Sequence, residues 1–127
     1  MKKTILILIL NLILYSCSST LAHIKNKDEV AELLTGDWKL KNSESKTIYS
    51  FSFENLKGFY EESEPNDDGE YMIVYDSPII EIIKKGKKFN LKFTDLLESW
   101  NSQIMHLDKE NLILKTSGKE TEYYKIE

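Results

Sequence analysis

Two stretches dominate what this chain can fold into. Tyr49, Phe51 and Phe53 alternate with Ser50 and Ser52, and Phe89, Leu91 and Phe93 alternate with Asn90 and Lys92. Successive side chains of a strand point to opposite faces, so a period of two commits one face to a core and cannot give a helix an apolar side. Comparable short segments run Tyr71 to Tyr75, Ile79 to Ile83, Trp100 to Leu107, Leu112 to Lys115 and Thr121 to Ile126. Turn formers separate them: Asn55-Leu56-Lys57-Gly58, Asp76-Ser77-Pro78, the Lys84 to Lys88 run around Gly86, Asp108 to Asn111, and Ser117-Gly118-Lys119. Thr94 to Ser99 reads as a turn or a single helical turn, and the acidic stretch from Glu61 to Gly69, with Pro65, as a solvated loop. The pattern predicts an all-β antiparallel sandwich or barrel of eight or nine short strands.

A short helix is expected ahead of them, from about Asp28 to Leu34. Val30, Leu33 and Leu34 have helical spacing, Asn26 or Asp28 can cap, and the first turn is acidic. At Gly36-Asp37-Trp38-Lys39-Leu40 the period changes to two, and the domain proper begins.

Ahead of the helix, the sequence is organised around Cys17. Lys2 and Lys3 precede an apolar run from Ile5 to Leu14 broken by Asn11, about half the roughly 20 residues a spanning helix needs, so residues 1–16 read as a signal peptide. Leu14, Ser16 and Cys17 resemble the lipobox of bacterial lipoproteins. That resemblance implies cleavage before Cys17, a diacylglycerol thioether on its sulfur and acylation of the new amino terminus with a fatty acid such as palmitate. Residues 17–27 then form a lipidated tether and 28–127 the domain. Ser18 stands where an aspartate would favour inner-membrane retention, which by the same resemblance favours the outer membrane of the cell envelope.

Composition excludes several classes of function. Cys17 is the single cysteine, so no intrachain disulfide forms and packing alone stabilises the domain. All 17 basic residues are lysine against 21 acidic ones, and loss of Lys2 and Lys3 takes the net charge from −4 to −6. An acidic surface without guanidinium forks suits neither nucleic acid nor anionic headgroups, so the membrane partner is reached through the lipid. His23 and His106 are far apart and have no second cysteine to join them, so neither a zinc site nor a Cys/His nucleophile pair is expected. No Gly-x-Ser-x-Gly turn is present, and the loop holding Asp67 and Asp68 lacks the alternating ligands of an EF-hand. No enzyme activity, cofactor or metal is expected.

The order of helix, Gly36-x-Trp38 strand, successive hairpins including Leu107 to Leu114, and a closing Glu122-Tyr123-Tyr124-Lys125-Ile126 strand resembles the lipocalin-like domains of small bacterial lipoproteins. The resemblance implies an up-and-down barrel of eight or nine strands whose tryptophan closes one end beneath a late-strand arginine. The chain has no arginine, and Lys125 is the candidate to cover Trp38. Most of the many aromatic side chains are expected to be core. Tyr49, Tyr71, Tyr75 and Trp100 are the candidates to line an open mouth holding a small apolar ligand, because buried hydroxyls need partners that a cavity can supply. The rival expectation is a packed interaction or inhibitor module, with the continuous apolar run Met72-Ile73-Val74 as its partner surface.

Overall fold

The structure, a computed structural model, describes Leu21 and residues 23–126; the leader, Cys17 and residues 18–20 and 22 of the tether fall outside these residues. Helix α1 (Lys27–Leu34) starts at Asn26, whose side chain accepts a hydrogen bond from the Glu29 amide at 2.9 Å. Asp28 and Glu29 complement the positive end of the helix dipole. Thr35 ends it in extended conformation, its amide and hydroxyl both returning to the Ala31 carbonyl.

Nine strands follow: β1 (Gly36–Leu40), β2 (Ile48–Glu54), β3 (Lys57–Pro65), β4 (Tyr71–Tyr75), β5 (Ile79–Lys85), β6 (Lys88–Thr94), β7 (Ser99–Leu107), β8 (Asn111–Thr116) and β9 (Lys119–Ile126). Eight of them close an antiparallel up-and-down barrel in the order β1-β2-β3-β5-β6-β7-β8-β9, with β9 pairing back onto β1. The ninth, β4, is an extra strand. β4 and β5 lie end to end along the same edge of β3: Pro65 to Glu62 pair with Tyr71 to Tyr75, and Phe59 to Lys57 pair with Ile79 to Glu81. Asp76-Ser77-Pro78 interrupts what would otherwise be one long strand. Because β5 alone continues to β6, β4 keeps a free edge beyond the β6–β7 turn.

The acidic segment from Glu61 to Pro65, read from sequence as loop, is therefore strand, and the loop shrinks to residues 66–70. Lys57 and Gly58, read as turn, also belong to β3, leaving Asn55 and Leu56 as the β2–β3 turn, both with positive φ. Pairing with β2 on one side and with β4 and β5 on the other supplies backbone hydrogen bonds that local charge does not reveal.

Alternation sets the core. Phe51, Ile80, Ile82, Phe89, Leu91, Phe93, Ile104, Leu112 and Leu114 are buried inside the barrel. On β7 the inward parity changes, from Ser102 and Ile104 to Leu107, and a bulge between Ile104 and His106 absorbs the odd residue. At one end α1 packs against β2, β5 and β7 and inserts Val30 and Leu34, both with no exposed surface. That end is solid.

Its closure centres on Trp38, also fully buried. The indole Nε1 donates to the Leu34 carbonyl at 2.9 Å, satisfying one of the acceptors that a helix leaves unpaired at its C-terminus. Lys125 reaches across from β9 with its Nζ 5.0 Å from the centre of the Trp38 ring, donating to the Leu33 and Thr35 carbonyls at 2.8 and 3.0 Å. The last turn of α1 has no basic residue of its own, so this ammonium is the cation at the negative end of the helix. Gly36, at φ +136°, makes the arrangement possible, since a Cβ there would stand 3.3 Å from Lys125 Cε.

Candidate binding site at the open end

The opposite end of the barrel is not filled. Inward positions there are small or polar on three strands, Ser102 on β7, Thr116 on β8 and Thr121 on β9, where nearer the solid end β7 has Ile104 and β8 has Leu112. A cavity of about 250 Å³ results, opening toward the β1–β2, β3–β4, β6–β7 and β8–β9 connections. Phe51, Tyr60, Tyr75, Phe93, Trp100 and Tyr123 provide aromatic wall, with Leu114 among them. Ser102 and Thr116 join hydroxyls beneath, and Glu62 contributes a carboxylate from β3.

The aromatic side chains hold one another in place. Phe93 and Trp100, paired in register across β6 and β7, stack with ring centres 5.3 Å apart. Tyr60 sits edge-on to Phe93 at 5.5 Å and to Tyr75 at 6.4 Å. Tyr49 packs edge-on to Tyr123 at 5.3 Å and tilted to Tyr60 at 6.5 Å. Such pairs restrict rotamers, so the wall is present before any ligand arrives.

Two of the wall's phenols, Tyr60 and Tyr75, have hydrogen-bond partners, and these two and Tyr123 all stay protonated. Tyr60 donates to Glu62 Oε1 at 2.8 Å; burial, then this hydrogen bond and the carboxylate charge, push the phenol well above its ordinary pKa. Burial foremost, with Tyr49 and Glu62 adding to it, pushes Tyr123 up to about 12. Tyr75 donates to Asp95 Oδ2 at 2.7 Å, a bond that is the largest cause of its rise to about 12. Asp95 also accepts from the Leu97 and Glu98 amides, and these contacts hold its carboxyl below the usual range.

Of the four ligand candidates from sequence, Tyr75 and Trp100 line the cavity. Tyr49 stands beside it as a support for Tyr60 and Tyr123, and Tyr71 lies on β4, 45% exposed and outside the lining. Gly36, Trp38 and Lys125 meet at the solid end as described. Sequence reasoning missed Tyr60, Glu62 and Tyr123. The available signal was parity: Gly58, Tyr60 and Glu62 share one face of β3, and Thr121, Tyr123 and Lys125 one face of β9.

The Tyr75–Asp95 bond is the side-chain tie between the free-edged strand β4 and the β6–β7 turn. Tyr75→Phe is expected to leave the thermal midpoint nearly unchanged while amide hydrogen exchange across Tyr71–Tyr75 accelerates severalfold. Unaltered exchange in that strand would show that β3 alone holds it.

Elsewhere, His106 Nε2 contacts Asp108 Oδ2 at 2.8 Å, and Asp108 Oδ1 accepts from the Glu110 and Asn111 amides, which fixes the β7–β8 turn. Burial tends to raise the Asp108 pKa, but these hydrogen bonds and the imidazole outweigh it and lower the carboxyl. Among the described residues no group of three or more histidine, cysteine, aspartate or glutamate side chains is placed to hold a metal ion. No family model, curated protein or solved structure matches the chain.

Proposed function

We propose that this chain is a non-enzymatic lipoprotein of the bacterial cell envelope, anchored through an acylated Cys17, whose barrel holds a small, largely apolar molecule in its open end. The cavity of about 250 Å³ carries the reading, because a wall of preorganised aromatic rings over a few hydroxyls is the usual composition of a small-molecule site. The volume suits a compact ligand rather than a long acyl chain. Two or three acyl groups on Cys17 hold the domain beside the outer membrane without any protein surface having to bind lipid. Native mass spectrometry of the domain purified from its own host tests the ligand: a retained non-peptide mass, extractable as one compound, is expected, and bare protein is the contrary result. Labelled palmitate tests the anchor: label is expected on the native chain and absent from Cys17→Ala, and equal labelling of both would remove lipidation from the account.

A second reading rests on β4. Tyr71, Met72, Ile73 and Val74 are 45 to 58% exposed beside a free strand edge, and Leu96 and Leu97 on the β6–β7 turn are 94 and 97% exposed. Glu61, Glu64, Asp67, Asp68 and Glu70 surround the ribbon with negative charge. The occupant that fits is an extended segment with lysine or arginine flanking an apolar stretch, added as a strand to β4. A lysine-flanked poly-valine peptide should protect β4 amides from exchange where a glutamate-flanked one does not; no protection by either would end this reading.

A further inference from the structure

The open-end cavity is not electrically neutral. Glu62 is the one charged side chain in its lining, and no lysine accompanies it. Among the described residues the single ion pair is His106–Asp108, so no ammonium lies within bonding distance of the Glu62 carboxylate. What it does receive is one neutral hydrogen bond, from Tyr60, which occupies a single oxygen. A carboxylate has room for several more donors. It shares the cavity lining with Tyr60, Tyr75, Trp100 and Tyr123, whose ring faces attract cations through the ring quadrupole.

The tyrosines add no positive charge and resist ionisation, since their pKa values are raised. At the rim, Asp95, held by Tyr75, and Glu98 extend the negative potential toward solvent, which favours approach of a cation. A neutral apolar guest would bury Glu62 further with nothing to compensate its lost hydration. A guest carrying an ammonium would instead pair with the carboxylate and rest its methylene or aryl body on the aromatic wall.

We propose that the ligand of the open-end cavity is a small organic amine in its protonated form, recognised by Glu62 as counter-ion and by Tyr60, Tyr75, Trp100 and Tyr123 as an aromatic enclosure. This rests on the small-molecule reading above and narrows it to one chemical class. Ring-on-ring packing positions the enclosure, and the Tyr60 hydroxyl aims the carboxylate.

The test uses matched probes differing only in charge: 2-phenylethylamine against 2-phenylethanol, and butylamine against butanol. Binding is followed by Trp100 fluorescence in Trp38→Phe, which leaves a single tryptophan, and by calorimetry on the unaltered protein. Each amine is expected to bind about tenfold or more tightly than its alcohol, the preference shrinking as salt rises. Glu62→Gln, whose amide oxygen can still accept from Tyr60, should fold normally by circular dichroism and bind amine and alcohol alike. Equal affinity of amine and alcohol for the native protein would overturn the amine assignment while leaving a small-molecule site in place. Saturable binding of neither would overturn both, and an amine preference that survives Glu62→Gln would place the counter-ion elsewhere and overturn the role of Glu62.

Discussion

Trp38→Ala should remove about 3–5 kcal/mol of folding stability, the range for truncating a fully buried aromatic side chain in a core. The loss is not one of area alone. The Leu34 carbonyl loses the donor at the end of α1, and the Lys125 ammonium loses the ring beneath it while still bonded to Leu33 and Thr35. The plug formed by Val30 and Leu34 then has no indole to seat against. Domains of this size have about 5–15 kcal/mol in total, so the variant should melt roughly 15 °C earlier or fail to accumulate. Trp38→Phe keeps the apolar body and should cost about half as much. Urea unfolding followed by circular dichroism measures both. A change under about 1 kcal/mol for the alanine variant would mean that the solid end does not depend on the indole.

Gly58→Ala should cost about 3 kcal/mol, the upper end of what overpacking costs, although it adds a single methyl group to a position with ordinary backbone angles. A Cβ at Gly58 would stand 2.6 Å from Phe53 Cε1, 2.8 Å from Ile80 Cβ and 2.9 Å from the Ile80 carbonyl oxygen. Two of these atoms, Ile80 Cβ and its carbonyl oxygen, are fixed to the β5 backbone, so a ring rotation cannot relieve the clash. Gly58 pairs in register with Phe53 on β2 and with Ile80 on β5. The β3–β5 seam has only three register pairs, Lys57 to Phe59 with Ile79 to Glu81, and is where the barrel should part. Hydrogen exchange should therefore rise first in β5, with Lys57→Ala, one residue away and exposed, as the near-neutral control. Uniform acceleration across all strands would indicate general destabilisation and not an opened seam.

The parts of the fold legible in the sequence are those where one face is uniformly apolar. Phe51 on β2 and Phe89, Leu91 and Phe93 on β6 announce both the strand and its inward side. What stayed hidden is where the interior itself is polar. Ser102, Thr116 and Thr121 face inward yet give no hydrophobic alternation, and Glu62 lies in a run so acidic that it reads as solvent-exposed. The same feature that conceals these residues creates the cavity: side chains too small or too polar to fill the barrel leave room in it. The broken β4–β5 edge was hidden for a different reason. A continuous apolar run such as Met72-Ile73-Val74 shows that a strand is present but not which of its edges is paired, and Tyr71, expected in the mouth as a buried hydroxyl in need of a partner, lies 45% exposed on that strand, outside the cavity.

The barrel is closed by α1 at the Trp38 end and holds a ligand-sized, aromatic-walled space at the Trp100 end. Titration of isotopically labelled domain with 2-phenylethylamine, followed by amide and aromatic resonances, probes both ends at once. Saturable shifts confined to Phe51, Phe93, Trp100, Leu114 and Tyr123, with Val30, Leu34 and Trp38 unmoved, are the expected result. Shifts that centre on Trp38, or none that saturate, would contradict it.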